Sequence, residues 1–158
     1  MPKEIALSGG NLSQVVRIGD TVRRSIKPWS TAIHGLLRHL EARQFNECPR
    51  FLGIDEKGRE ILTYIKGEIG EDLPCLWSAV VLMSAAQLLR QYHDATIDYV
   101  SADDNSPWQY VYPDRQRREV ICHNDFAPYN LIFNGQKPIA MIDFDVAGPG
   151  PRIRDVAM

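Results

Sequence analysis

A short chain reversal near the carboxy-terminal end constrains the fold more than any other feature of the sequence. Asn134-Gly135 lies between two apolar runs, and this dipeptide in that setting predicts a two-stranded hairpin. The hairpin folds the chain back, so that Asn130, at the start of one strand, lies beside Asp143, at the end of the other. An amide oxygen and a carboxylate are therefore expected to lie close together.

This pair of oxygen donors suggests a metal site. Amide and carboxylate oxygens suit Mg2+, which keeps water and phosphate oxygens in its remaining positions. Asp125 precedes Asn130 on a predicted loop, where it could stand beside the metal and accept a proton from an attacking hydroxyl group. Simpler interpretations stay open, because Asp125 could cap the loop, Asn130 could cap a turn, and Asp143 could pair with a nearby arginine.

The residue pattern of two carboxy-terminal segments resembles that of a known family. The segments are His123-Asn124-Asp125-Phe126 with Asn130, then Ile142-Asp143-Phe144-Asp145, with Gly148-Pro149-Gly150 and Asp155 beyond. The spacing H-x-D-x-x-x-x-N followed by D-F-x is similar to the catalytic and metal-binding loops of the protein-kinase-like fold. In detail the chain resembles the aminoglycoside phosphotransferase and choline kinase family, from roughly Leu7 to its end.

The resemblance implies a Mg2+-dependent enzyme that moves the γ-phosphoryl group of ATP or GTP to a hydroxyl group of a small molecule. Asp125 would be the catalytic base, and His123 would brace the catalytic loop. Asn130 and Asp143 would be the Mg2+ ligands. The acceptor stays open among an antibiotic, choline, an amino alcohol and a sugar.

The resemblance places the nucleotide against the amino-terminal third of the chain. A glycine-containing loop would cover the phosphates, since glycine lets the backbone approach them closely. Backbone groups of a segment between two lobes would hydrogen-bond the purine. The residues implied are Gly9, Gly10, Asn11 and Ser13 in the covering loop, and Thr63 and Ile65 in the purine-binding segment. A bare glycine turn is the alternative for the covering loop.

Departures from the family pattern leave a second function open. The phosphate-contacting lysine has no clear counterpart, since Arg24 stands in its place and Lys27 is the other candidate. The helix that should offer a glutamate has His34 near that position and Glu41 further on. The sequence also stops soon after Asp155, where relatives continue into helices of the acceptor pocket. The alternative is a truncated, weak or inactive kinase-like protein that binds nucleotide or a partner without turnover.

Hydrophobic periodicity predicts an α+β fold rather than alternating α/β. Strands are expected on both sides of Gly19-Asp20 and again over 49–54 and 60–65, with a helix that Ser30 caps. A helix over 76–93 is apolar nearly all round, which predicts burial. The resemblance implies a two-lobed, protein-kinase-like form, with an amino-terminal lobe of residues 1–66 and a truncated carboxy-terminal helical lobe of residues 67–158.

Composition narrows the setting and the partners. With 18 basic and 20 acidic residues, the chain lacks the basic excess of a nucleic-acid binder. The 3 cysteines are far apart, which argues against a zinc site and favours a reducing, cytoplasmic setting. Polar residues interrupt the most apolar stretch, so no membrane association is expected. The expected partners are a nucleotide, a small hydroxyl-bearing acceptor, and a second copy of the chain that could complete the short lobe.

Overall fold

The first sheet occupies the amino-terminal part of the molecule. The computed structural model describes residues 3–7, 15–100 and 105–157. A five-stranded antiparallel sheet has the order β1-β2-β3-β5-β4. Its strands are β1 (Ile5–Leu7), β2 (Val15–Ile18), β3 (Thr21–Ser25), β4 (Phe51–Ile54) and β5 (Arg59–Thr63). The predicted hairpin is confirmed, with Gly19 at a φ of 59° in the turn between β2 and β3.

Helix α1 (Ser30–Ala42) follows this hairpin and buries the apolar positions that its periodicity predicts. Leu36 and Leu40 are fully buried. The predicted cap is wrong by one residue, because Trp29 already has a helical backbone and its carbonyl accepts from the Ala32 N–H. Ser30 therefore lies inside the helix, where its hydroxyl accepts a hydrogen bond from the Lys27 backbone N–H.

Helix α2 (Ala79–Thr96) begins and ends later than predicted. Ser78 has an extended backbone and its side chain accepts from the Val81 N–H, so it caps the helix and excludes the residues before it. The predicted burial all round is also wrong. Tyr92 is fully buried on the face towards the strands, whereas Val80 and Met83 are 63% and 64% exposed on the outer face.

Two small antiparallel sheets complete the fold. Their strands are β6 (Glu68–Ile69), β7 (Val120–Cys122), β8 (Leu131–Asn134), β9 (Lys137–Met141) and β10 (Gly148–Gly150), followed by the short helix α3 (Ile153–Val156). One sheet has the order β6-β8-β9, and the other pairs β10 with β7. The predicted β8–β9 hairpin is confirmed, although β8 extends through Asn134 and the turn falls on Gly135-Gln136.

One apolar cluster joins these parts. It includes Leu40 of α1, Leu88 and Tyr92 of α2, and Met141 of β9. The α+β class is confirmed, whereas the division into lobes at residues 66 and 67 stays a prediction. In the described part of the chain, no helix has the length and apolar character needed to cross a membrane.

Candidate active site

The β8–β9 hairpin brings Asn130 and Asp143 to the same end of the sheet. Leu131 pairs with Met141, and the Ile142 N–H donates to the Asn130 carbonyl at 2.9 Å. Asp143 therefore follows directly after the residue that closes the hairpin. Its backbone has a φ of 60° and its side chain is about half exposed, which leaves the carboxylate accessible to a ligand.

Asp125 is held by its own loop. A 3-10 turn at Pro128–Asn130 brings two donors back to the Asp125 carboxylate. The Tyr129 hydroxyl donates to Oδ1 at 2.5 Å, and the Asn130 amide nitrogen donates to Oδ2 at 2.9 Å. The hydrogen bond to Asp125, together with partial burial and nearby negative charge, raises the pKa of Tyr129.

The same hydrogen bond fixes the orientation of the Asn130 side-chain amide. Because its amide nitrogen is committed to Asp125, its amide oxygen lies on the opposite edge of the planar group. This oxygen and the Asp143 carboxylate form the kind of donor pair that suits Mg2+. No group of three or more His, Cys, Asp or Glu with metal-binding geometry occurs within residues 3–7, 15–100 and 105–157. A cation held here would therefore take further oxygens from water or substrate.

His123 braces the loop rather than facing a reactant. Its ring is fully buried, and Nε2 lies 2.9 Å from the Ile142 carbonyl oxygen, to which it donates. Burial lowers the pKa of His123, so the ring is neutral at pH 7. Nδ1 makes no hydrogen bond with a described residue, as expected for the unprotonated nitrogen.

Asp155 anchors the backbone of the loop that carries Asp125. Its carboxylate accepts from the backbone N–H of His123 at 2.8 Å and of Asn124 at 2.7 Å. The His93 ring, on α2, lies 2.8 Å from the same carboxylate. Asn124 has a φ of 63° and donates its side-chain amide to the Val146 carbonyl. The sequence identifies Asp155 as part of the family motif. It does not predict that Asp155 anchors this loop or that His93 contacts Asp155.

Arg24 on β3 contacts residues of the site, whereas no contact of the Lys27 ammonium with them is seen. The Arg24 guanidinium contacts Asp145 at 2.5 Å, Asp143 at 3.4 Å, and Glu60 through Nε. Burial lowers the pKa of Arg24, but the carboxylates of Asp145 and Glu60 outweigh burial and raise it above its ordinary value. The Lys27 ammonium makes no hydrogen bond or ion pair with a described residue. Asp143 therefore has an arginine partner, as one open interpretation of the sequence allowed.

Glu60 supplies the carboxylate that the predicted helix lacks. It lies on β5 directly opposite Arg24 in the sheet register and is 1% exposed. Its second oxygen lies 2.5 Å from Nε2 of His34 on α1. Glu41 lies elsewhere, about half exposed and paired with Arg50. Sequence reasoning missed Glu60, and the signal that could have found it is the pairing of β3 with β5.

The predicted purine-binding segment is only partly free for a ligand. The Thr63 N–H donates to the Arg50 carbonyl at 3.0 Å, and the Tyr64 N–H donates to the Asp20 carbonyl at 2.8 Å. Ile65, just beyond β5, makes no backbone hydrogen bond of this kind with a described residue. The predicted phosphate-covering residues lie outside the described residues. They are Gly9, Gly10, Asn11 and Ser13.

The five-stranded sheet with α1, the loop that carries Asp125, and the segment 143–145 after the β8–β9 hairpin together define a kinase-like fold. In agreement, residues 102–158 match the Phosphotransferase enzyme family (APH). The chain is also 39% identical over 153 residues to the trifolitoxin immunity protein of Rhizobium leguminosarum bv. trifolii. That match covers 94% of this chain and 58% of the relative, so the chain spans less than two thirds of that protein's length.

Solved structures agree on the fold. A spectinomycin phosphotransferase superposes with a TM-score of 0.65 at 13% identity, covering 97% of this chain and 66% of its own. The macrolide 2'-phosphotransferase of Brachybacterium faecium gives a TM-score of 0.63 at 15% identity. The match covers 97% of this chain and 69% of the macrolide 2'-phosphotransferase. A choline/ethanolamine kinase family protein of Mesorhizobium loti gives a TM-score of 0.60 at 19% identity. The match covers 98% of this chain and 62% of the Mesorhizobium loti protein. The fold is kinase-like, and the resemblance to the aminoglycoside phosphotransferase and choline kinase family is confirmed.

Proposed function

We propose that the chain is a Mg2+-dependent phosphotransferase that moves the γ-phosphoryl group of ATP or GTP to a hydroxyl group of a small molecule. The observation that carries this proposal is the double role of Asn130. Its amide nitrogen holds Asp125, and its amide oxygen, which accepts no hydrogen bond from a described residue, would face a cation beside Asp143. The proposed base and the proposed metal ligands thus lie in one connected arrangement.

The chemistry assigns each side chain a separate task. Asp125 would orient the acceptor hydroxyl and take its proton as the acceptor oxygen bonds to the γ-phosphorus. The bond from the γ-phosphorus to the bridging oxygen would break, and the nucleoside diphosphate would leave. Asn130 and Asp143 would hold Mg2+, which neutralises charge on the phosphates when bound. Tyr129 would give up its hydrogen bond to Asp125 as the acceptor hydroxyl enters.

Calorimetry and turnover measurements with two variants test this function. Mg2+-dependent binding of ATP or GTP is expected for the wild-type chain and is expected to be lost in Asp143→Ala. Asp125→Asn should bind nucleotide normally yet lose about 100-fold or more in turnover, because general-base catalysis contributes that much. Asp20→Asn, at a fully exposed aspartate, is the matched control and should leave both properties unchanged. Full turnover in Asp125→Asn would remove the base assignment.

A second candidate is an immunity protein that binds nucleotide or a partner without turnover. Two observations favour it: both Asp125 carboxylate oxygens already carry intramolecular hydrogen bonds, and the 39% identical relative is named a trifolitoxin immunity protein. The test is survival of trifolitoxin-sensitive bacteria that express the chain. Protection by both wild type and Asp125→Asn supports binding alone, whereas protection lost in Asp125→Asn supports phosphoryl transfer.

A further inference from the structure

We propose that Glu60 and His34 are positioning residues that aim the Arg24 guanidinium at the nucleotide phosphates, an inference that rests on the proposed phosphotransferase function. The sheet register places Arg24 and Glu60 opposite each other on β3 and β5, with both side chains on one face. Glu60 binds the Nε side of Arg24, so the two terminal nitrogens point towards residues 143–145. The orientation of the guanidinium is thus fixed at its base.

The Glu60 carboxylate is itself held at both oxygens. It is 1% exposed, with Arg24 on one oxygen and His34 Nε2 at 2.5 Å on the other. A buried carboxylate is stable only when it is paired and hydrogen-bonded, so each partner restricts its rotation. Glu60 therefore acts as a rigid support for Arg24 rather than as an ion that can turn to solvent.

His34 connects this support to helix α1. Its ring stacks on Phe51 of β4, with centroids 3.7 Å apart and planes 15° from parallel. The stacking directs Nε2 towards Glu60, so the position of α1 is transmitted through His34 and Glu60 to Arg24. The helix thus contributes an imidazole, and the strand contributes the carboxylate.

The acidic partners of Arg24 hold its guanidinium in an orientation that suits phosphate binding. Asp145, which is not one of the proposed metal ligands, is the nearer partner at 2.5 Å, whereas Asp143 is 3.4 Å away. Glu60 and Asp145 therefore hold the guanidinium and leave Asp143 available to a cation. A guanidinium fixed in this way presents planar N–H donors that match phosphate oxygens.

Calorimetry of Glu60→Gln separates this role from a purely structural one. In the presence of Mg2+, the dissociation constants of ATP and ADP should rise about tenfold, because a charge-assisted contact to phosphate is weakened. Adenosine, which has no phosphate, should bind with unchanged affinity. If the wild-type chain prefers GTP, the guanine nucleotides and guanosine take their places.

Two further variants guard against a general loss of structure. Asp55→Asn breaks another arginine pair of the same sheet, Asp55 with Arg59 at 2.9 Å, and should leave nucleotide affinity unchanged. His34→Gln removes the imidazole support but keeps the Glu60 side chain beside Arg24, so it should weaken ATP binding about threefold without affecting adenosine. It also serves as the test if Glu60→Gln fails to fold.

A double-mutant cycle checks that Glu60 acts through Arg24. In an Arg24→Ala background, Glu60→Gln should cause little further loss of ATP affinity, since its target is gone. Equal losses for ATP and adenosine, or unchanged ATP affinity in Glu60→Gln and His34→Gln, overturn the inference alone. A wild-type chain that binds no nucleotide overturns both this inference and the proposed function.

Discussion

At the scale of single residues, the proposed base is oriented before any ligand arrives. Tyr129 and Asn130, the two donors to Asp125, lie within five positions of it in the chain, so the loop carries its own support. Asn130 is buried, whereas Tyr129 is 48% exposed and can turn towards solvent. The Tyr129 hydroxyl therefore marks the place on Asp125 that an acceptor hydroxyl would take.

Removing that hydroxyl should free one oxygen of the base. Tyr129→Phe is expected to raise the slow hydrolysis of ATP by water up to about fivefold, because one competing hydrogen bond to Asp125 is lost. Nucleotide affinity should not change. The measurement is steady-state phosphate release, with Asp125→Asn as the blank. A tenfold fall in hydrolysis would mean instead that Tyr129 is needed to orient the base.

The cysteines should differ sharply in reactivity. Cys48 and Cys122 are buried, and burial raises the pKa of each thiol to about 12, so neither forms thiolate at neutral pH. Cys75 is only half-buried. Iodoacetamide at about pH 7.5 is therefore expected to modify Cys75 alone in the folded protein, and all cysteines after denaturation. Peptide mass spectrometry reports the sites, and early labelling of Cys48 or Cys122 contradicts the burial.

At the scale of elements, local signals were predictable and crossed pairings were not. The β2–β3 and β8–β9 hairpins follow from short turn sequences, and Gly19 and Gly135 have the positive φ that such turns require. The predicted start of α2 was too early because the apolar run continues before Ser78. The helix itself begins only after Ser78, whose side chain caps it. Glu60 was missed because α1 and β4 lie between β3 and β5 in the chain. The local sequence around Glu60 therefore does not indicate that β5 pairs with β3.

The β7–β10 pair offers a test of close packing behind the site. A Cβ atom at Gly148 would lie 1.8 Å from the Tyr110 carbonyl oxygen, so Gly148→Ala must displace backbone. The expected loss is about 3 kcal/mol in the free energy of unfolding. Gly58→Ala is the matched control, because its Cβ meets nothing within 4 Å and only the positive φ costs stability, about 1 kcal/mol. Denaturant titration of both variants measures the difference, and equal losses would contradict it.

At the scale of the whole molecule, one apolar cluster and the contacts of Arg24 connect the first sheet to the proposed site. That site consists of the loop that carries Asp125 and of residues 143–145. Leu62 of β5 packs against the cluster that contains Leu40 and Met141, and Arg24 bridges β3 to Asp145. The kinase-like form could be predicted because the loop motifs carry it, whereas the exposed outer face of α2 could not be, since apolar content alone predicts burial. That a second copy of the chain completes the short lobe stays a prediction.

Stability should fall at mildly acidic pH because His123 is buried and neutral. Burial lowers its pKa below the ordinary 6.5, so the unfolded chain binds a proton that the folded chain does not. The contribution is fully present above pH 6.5 and is lost as pH falls towards the lowered value, at up to about 1.4 kcal/mol per pH unit. Denaturant titrations from neutral pH downwards measure this slope. His123→Gln should lack that part of the slope, and identical slopes in the two proteins would contradict the assignment.

The contacts of Asp155 have a consequence for how the protein is made. His123 and Asn124 each donate a backbone N–H to a carboxylate that is 32 and 31 residues further along the chain. A nascent chain emerges from the ribosome with its amino terminus first, and early segments can fold while later ones are still being synthesised. The first sheet and α1 can therefore form during translation, but the Asp125 loop has to wait for Asp155 to leave the exit tunnel. A nascent chain stalled before that point would carry an unanchored loop.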